Sequence, residues 1–410
     1  MRQFRKLPSL LCAVTLLVAA LCLPAMAETS AIFAGGSGAA DDPWQIATAE
    51  QLTAFAASVN DGTLGGYAGQ AIVLTADIDL AGVDWTPIGN MEDMENYTTM
   101  FLGTFDGQGH TISNLIFETD AAIVGAGLFG LNVGEIKNVN MANATVTCTD
   151  GTSQAIAALV GYNMGAVSGC TVTGAQVTGN ACVGGGIGGN MGPVANCAIR
   201  EAVVTVIGDN DFSEGLVQCD IAECGGLIIG GGFGGTIDGC TASGTVQAEG
   251  NEPVGLGGIG GCLEMMDSIT NCTADVTIVS ARGGHAIGGL CGYAGTHSNG
   301  QIVAKTEGIV TTQYPGRIEN CTIRVKIDAA EATHVGGLVG TGLYYYGEET
   351  AFAATNCTVS GEINAVTPGA IAGRAENSSI ESCTANVTVN GAALTELVGA
   401  TDRMYESADQ

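Results

Sequence analysis

The sequence predicts an all-β chain, a right-handed parallel β-helix whose N-terminal end is capped by a helix. Three observations predict it. A Gly-Leu cluster recurs as Gly127-Leu128-Phe129-Gly130, Ala158-Leu159-Val160-Gly161, Gly186-Ile187-Gly188-Gly189, Gly258-Ile259-Gly260-Gly261, Gly289-Leu290-Cys291-Gly292, Gly337-Leu338-Val339-Gly340 and Ala370-Ile371-Ala372-Gly373. A cysteine follows behind these clusters at Cys170, Cys197, Cys240, Cys272, Cys321, Cys357 and Cys383, each preceded by Asn, Gly or Ser. Between them run short stretches of alternating apolar and polar residues, such as Thr384-Ala385-Asn386-Val387-Thr388-Val389. A unit this short cannot bury its own apolar face and must stack on its neighbours. Period-two alternation broken by Gly or Asn makes the stacked unit a coil of strands rather than of helices. The preference of parallel crossovers makes the coil right-handed. With 64 Gly and 13% charged residues, the composition suits tight turns at positive φ.

Taken in order, residues 1–27 read as a signal peptide: Arg2, Arg5 and Lys6, an apolar run from Leu10 to Leu23, and the small-x-small site Ala25-Met26-Ala27. Residues 28–120 form an N-terminal capping region. Within it Thr48-Ala49-Glu50-Gln51 is a capping box, and Leu52, Phe55, Ala56 and Val59 follow at helical spacing, predicting one amphipathic helix of about three turns. Strands are expected at Ala71 to Leu80 and near Phe101 to Phe105. Residues 121–399 carry the repeats, and 400–410 form a short tail. Insertions lengthen three consecutive coils at one angular position, after Gly261, Gly292 and Gly340, and another lies between Cys197 and Gly231. Insertions of this kind commonly build the binding side of a solenoid.

The Gly-Leu-any-Gly cores at Gly127-Leu128-Phe129-Gly130 and Gly337-Leu338-Val339-Gly340 resemble the GLUG motif, a bacterial repeat. The stretch from Asp42-Pro43-Trp44-Gln45-Ile46 through Trp85-Thr86-Pro87-Ile88-Gly89 to Gly109-His110-Thr111-Ile112 is similar to the segment that commonly precedes such repeats. The resemblance implies a secreted or surface protein of adhesin-like type; similar repeats occur beside the catalytic domains of immunoglobulin A peptidases. No catalytic residue belongs to the motif.

A formal net charge of −29 repels phosphate backbones and excludes nucleic acid as a partner. No run after the leader is long enough for a transmembrane span, so the expected location is extracellular, with any retention at the cell surface non-covalent. Fifteen cysteines occur, two of them, Cys12 and Cys22, in the leader. The seven repeat cysteines should stack with parallel Cβ vectors, poor geometry for a disulfide, and stay reduced as small hydrophobes. Cys219 and Cys224, inside an insertion, are the best candidates for a local bridge. No Cys-x-x-Cys pair exists to suggest zinc. Asp209-Asn210-Asp211 with Ser213 and Glu214 alternates oxygen ligands as a calcium loop does, yet Glu214 stands where Gly is needed and no Glu follows at the twelfth position. Calcium is therefore the only cofactor the pattern offers, and neither a cofactor nor a metal site is expected.

Asp106 and His110 lie in a Gly-rich turn, while His285, His297 and His334 sit in polar loops without a fixed carboxylate partner. No catalytic residues are expected. The chain reads as a non-enzymatic adhesion or ligand-binding module whose partner is a host glycan, a host protein or an envelope component. The alternatives are a β-helix polysaccharide lyase or glycosidase, and a structural fragment of a larger surface protein. Candidate binding residues are Tyr293, Tyr314, Tyr344, Tyr345 and Tyr346, gathered around the longest insertions.

Overall fold

Each coil is assembled from runs of two to nine residues, and every run pairs with the equivalent run on the next coil. The computed structural model describes residues 32–62, 64–91, 98–208, 223–250, 255–264, 268–284, 286–296, 316–344, 352–375 and 378–401. Four faces wind around one core. Face I has eleven strands, from Trp44–Ile46 to Ser379–Glu381; face II has fourteen, from Ile78–Asp79 to Ala392–Ala393. Face III has eight, from Val124–Ala126 to Pro368–Gly369, and face IV has nine, from Phe129–Asn132 to Val398–Ala400. The chain visits I, II, III and IV in turn, as in Ala166–Ser168, Thr171–Thr173, Ala181–Gly184 and Ile187–Asn190. Neighbouring coils pair in parallel, for example Thr273 with Thr322 and Ile278 with Ile327. The fold is a parallel β-helix.

The residue before the repeat cysteine explains the corner between faces I and II. Asn196, Asn271, Asn320 and Asn356 hold φ between 54° and 56°, and Ser382 holds 53°. Asn138 holds the same conformation on an earlier coil, where Val139 follows in place of cysteine. Asn tolerates this left-handed region better than other side chains, so one Asn turns the chain sharply without a loop. The next residue then points into the core. Cys170, Cys240, Cys272, Cys321 and Cys357 are buried there, and each thiol donates to the carbonyl two residues earlier, as Cys272 Sγ does to Thr270 O at 3.2 Å. A second, longer contact reaches the preceding coil, from Cys272 Sγ to Ile237 O at 3.9 Å. All twelve described cysteines are thiols.

The Gly-Leu cluster is the corner between faces III and IV. Its Leu or Ile enters the core: Leu128, Leu290, Leu338 and Ile371 are fully buried. Its last Gly lies where face IV meets the backbone of face III one coil back. A Cβ at Gly340 would stand 2.3 Å from Ile287 N, and one at Gly292 2.5 Å from Leu256 N. Real Cβ atoms do not approach backbone so closely, so only glycine permits this sheet contact.

The helix spans Ala49–Asn60. Thr48 Oγ1 accepts from Gln51 N at 3.3 Å, while Gln51 Oε1 accepts from Ala47 N at 2.8 Å, one residue upstream of the cap. Leu52, Phe55, Ala56 and Val59 are buried, and Phe55 packs against Phe33, Tyr67, Phe101 and Phe105 with ring centroids 5.1 to 6.1 Å away. The helix thus covers the first coils as a cap. After it, Leu64–Tyr67 makes a left-handed turn in which Tyr67 has φ 62°. Tyr67 is held there by its ring packing and by its hydroxyl, 2.7 Å from Ser58 Oγ. The strand expected over residues 71–80 divides into Ala71–Leu74 and Ile78–Asp79, which belong to faces I and II and must be separated by a corner.

Candidate ligand-binding flank

The corner between faces IV and I differs along the solenoid. On three early coils it is tight and clamped from inside. Asn132, Asn163 and Asn190 are fully buried. Asn132 Nδ2 donates to Asn163 Oδ1 at 2.7 Å, and Asn163 Nδ2 to Asn190 Oδ1 at 2.8 Å. Asn163 and Asn190 also donate to the carbonyls of Gly165 and Gly192 at 2.9 and 2.8 Å, closing each turn onto itself. A buried amide ladder of this kind costs little because nearly every donor is satisfied, and it fixes the corner.

The ladder then ends. Gly232 is the register partner of Asn190, and Leu263, Ala294 and Gly342 continue the column. None of these can clamp the turn. At this point the face IV strands lengthen to Gly260–Glu264, Cys291–Thr296 and Val339–Tyr344, pairing outward through Glu264 with Gly295 and Thr296 with Tyr344. They form a small parallel ledge. The face IV strands end at Glu264, Thr296 and Tyr344 and the following face I strands begin at Ser268, Gly316 and Phe352, so the three insertions fall at one angular position. The connecting segments lie outside the described residues.

The five tyrosines separate. Tyr293 is a correction: it is 4% exposed and cannot offer its ring to a ligand. It pairs in register with Cys262 and Thr341 and belongs to a second, smaller buried cluster with Cys182, Cys224, Cys262 and Ala286, against which Phe233 leans. Adjacency to a long insertion suggested exposure, but Tyr293 follows directly on the corner Gly292, at the root of the ledge. Tyr344 ends its strand with its backbone on the rim of the ledge. Tyr314, Tyr345 and Tyr346 lie outside the described residues, as do His285, His297, Cys219 and the acidic stretch Asp209 to Glu214. Cys224, considered as a local partner of Cys219, is instead buried in a face III strand, its sulfur 3.8 Å from that of Cys182. The buried Asn ladder escapes a reading of the sequence alone. Its signal is an Asn two residues after a Gly, in Gly130-Leu131-Asn132, Gly161-Tyr162-Asn163 and Gly188-Gly189-Asn190.

The polar groups at the other corners serve the backbone. Asp106 Oδ1 accepts from Gln108 N at 2.9 Å and Asn138 Nδ2 at 3.0 Å, stitching a turn to the next coil. His110 Nδ1 lies 3.3 Å from Asp77 Oδ1, which also accepts from Thr111 N at 2.9 Å. The Thr111 amide, and then His110, hold the Asp77 carboxyl below the usual carboxylate range. Burial pushes the Cys148 thiol up to about 12, keeping it protonated and unreactive. Among the described residues no group of three or more His, Cys, Asp or Glu is placed to hold a metal ion, and no helix is long and apolar enough to cross a membrane.

Residues 364–390 match the GLUG motif. The match begins at the last residue of the face II strand Thr358–Asn364 and ends just past its successor Thr384–Val389, so one motif is one coil. Over 167 residues, 39% of this chain, the sequence is 33% identical to Halomucin of Haloquadratum walsbyi, of which it spans 2%. Over 145 residues, 35% of this chain, it is 31% identical to a protein provisionally described as a Gly-rich membrane protein of Evansella cellulosilytica, of which it spans 16%. A crystal structure provisionally described as an immunoglobulin A1 protease of Bacteroides ovatus aligns with 90% of this chain and 87% of its own, at 17% identity and a TM-score of 0.42.

Proposed function

We propose that this chain, a β-solenoid carrying the GLUG motif, is exported and acts as a non-enzymatic ligand-binding or adhesion module at the cell surface, binding through the flank where faces IV and I meet. The observation that carries the reading is the ledge. Three successive coils abandon the clamped corner, and their lengthened face IV strands pair side by side up to the points where the insertions begin. A rigid stack that roots adjacent loops at one position suits recognition of an extended ligand, because the scaffold fixes where each loop begins and ends. His110, Asp77 and Asp106 are tied into turns by their close partners, which supports binding over turnover. A host glycan, a host protein or an envelope polymer are the ligand classes that fit. The two relatives, of which this chain spans a small part, include one described as a membrane protein, consistent with a role at the envelope.

The test is a screen of the chain against glycan and protein arrays, repeated with residues 297–315 and 345–351 each replaced by the tight turn Asn163-Met164-Gly165 of an early coil. The reading requires a ligand that the parent chain binds and both shortened chains lose, with melting temperature retained and no release of reducing sugar or cleaved peptide. Binding that survives both replacements moves the site off this flank, and turnover of any bound ligand ends the non-enzymatic reading.

A further inference from the structure

The second buried cluster contains a pair of thiols that the repeat architecture does not account for. Each of the seven corner cysteines follows a residue at left-handed φ, and each thiol donates to the carbonyl two residues earlier, so the side chains take one direction coil after coil. Cys182 and Cys224 differ. They are register neighbours on adjacent parallel strands of face III, one residue before the Val183–Gly225 pair. Their Cα atoms are thus about 4.8 Å apart, the spacing of neighbouring strands, inside the range a disulfide spans. Cys182 has φ 49°, whereas Cys224 does not adopt positive φ. A left-handed residue beside an extended one cannot project its Cβ in the same direction, so the parallel-vector obstacle that keeps the corner ladder reduced is absent here.

The sulfurs lie 3.8 Å apart, and both occupy the space over Gly231, where a Cβ would stand 2.8 Å from Cys182 Sγ and 3.5 Å from Cys224 Sγ. Cys262, the third thiol of the cluster, sits over Gly255, whose Cβ would crowd its sulfur. It pairs with Gly231 from face IV and fills the next gap in the column. Cys182 is 7% exposed and Cys224 is fully buried, so an oxidant reaches the pair from the Cys182 side.

We propose that Cys182 and Cys224 are a redox-active pair that closes into a disulfide joining two successive coils, with Cys262 remaining a thiol. The oxidant is a small-molecule or protein disulfide. The Cys182 thiolate attacks it, forming a mixed disulfide and releasing one thiol of the oxidant. The Cys224 thiolate then attacks the Cys182 sulfur, forming the new S–S bond and releasing the second thiol. Two thiols lose two electrons and two protons in total, and the oxidant's disulfide takes them up as two thiols. The bond would close the chain between residues 182 and 224 into a loop and fasten the coil that precedes the ledge. It does not depend on the identity of any ligand.

The experiment uses the full chain purified in reductant, equilibrated with glutathione disulfide and glutathione, then denatured in N-ethylmaleimide and mapped by mass spectrometry without reduction. Two fewer thiols should be alkylated than in the reduced control, with one linked peptide pair containing Cys182 and Cys224. The Cys262→Ser variant should keep the bond, and the Cys224→Ser variant should lose it. Oxidation should raise the melting temperature of the parent and of Cys262→Ser but not of Cys224→Ser. Complete alkylation at every glutathione ratio, or a linkage that pairs Cys224 with Cys262 or joins two corner cysteines, overturns the proposal. Should Cys224→Ser fail to fold, Cys182→Ala replaces it, since Ala155 holds the same left-handed position one coil earlier.

Discussion

At its N-terminal end the solenoid is closed by an aromatic wall, with Phe33, Trp44, Phe55, Tyr67, Phe101 and Phe105 all buried beneath or beside the helix Ala49–Asn60. At the other end no aromatic wall of this kind lies over the last coil among the described residues. Ile380, Cys383, Ala385, Val389 and Val398 are only partly buried, and Leu397 is 47% exposed. The antiparallel turn that pairs Val389 with Ala392 occupies the edge of face II there, and a strand turned back on itself blunts an edge that would otherwise pair with another chain. The difference teaches that one repeat sequence gives coils of unequal worth: an interior coil is buried on both sides, whereas a terminal coil gains only what its single neighbour and its cap supply.

The sharpest way to break the comparison is to remove the cap. Deleting residues 41–62, which takes the first face I strand Trp44–Ile46 together with the helix, should expose Phe101, Phe105 and the next face I strand, Ala71–Leu74, giving a chain that elutes as aggregate and loses its cooperative melt. The milder Phe55→Ala should cost about 3–5 kcal/mol, as for other buried aromatic truncations, read by denaturant unfolding. An unchanged midpoint in Phe55→Ala would mean that the helix lies on the solenoid without stabilising it.

A second test sets an interior corner against the terminal one. A Cβ at Gly340 meets backbone at 2.3 Å, whereas one at Gly399, on the last described coil, meets the carbonyl oxygens of Gly373 and Thr367 at 2.7 Å. Gly340→Ala should therefore destabilise by about 1–3 kcal/mol, as overpacking does, and Gly399→Ala by clearly less. Equal melting points for the two variants would show that the close sheet contact is not what demands glycine.

How much of this was legible follows from which constraints are local. The Asn-Cys corner and the closing Gly could be read because each is fixed by one residue's backbone conformation or by its missing Cβ, and both recur from coil to coil. The cap could be read because Thr48, Gln51 and the Leu52-Phe55-Val59 stripe are neighbours in sequence. Tyr293 could not, because its burial is made by Cys262 on the preceding coil and Ala286 before a face III strand. The pairing of Cys182 with Cys224 was hidden for the same reason: the insertion between them breaks the period that revealed the corner ladder. The end of the Asn clamp at Gly232 is visible in the sequence once the column is known, and it marks where the coils begin to lengthen.

The cysteine ladder offers a finer measurement of the same gradient. Cys272 is fully buried between two coils, while Cys383 lies on the last described coil and is only partly covered. Replacing Cys272 by Ala should cost on the order of 1 kcal/mol, the scale of a modest core truncation, and Cys383→Ala a fraction of that. Thiol accessibility should follow the same order, with Cys383 labelled by a maleimide in the native state well before Cys272.

The smallest expected effect lies on the exposed rim of the corner between faces I and II. Asp238 Oδ1 accepts from Thr270 Oγ1 at 2.6 Å and from Asn271 Nδ2 at 2.8 Å, both one coil on, and these bonds, Thr270 first, hold its carboxyl below the usual carboxylate range. A carboxylate whose folded value is depressed stabilises the fold at pH above its unfolded value, near 4 by the usual range for Asp, and that contribution is lost as pH falls through the folded value. Because Asp238 is exposed, solvent screens the interaction and the effect should stay below about 1 kcal/mol. Asp238→Asn should therefore leave the melting temperature at pH 2 unchanged and lower it slightly at pH 7, flattening the acid limb of the stability profile. An equal loss at both pH values would assign the role of Asp238 to shape rather than to charge, and the same comparison at Asp79, whose carboxyl is lowered by Asn114 and the Ala81 amide, would show whether the corners near the cap behave alike.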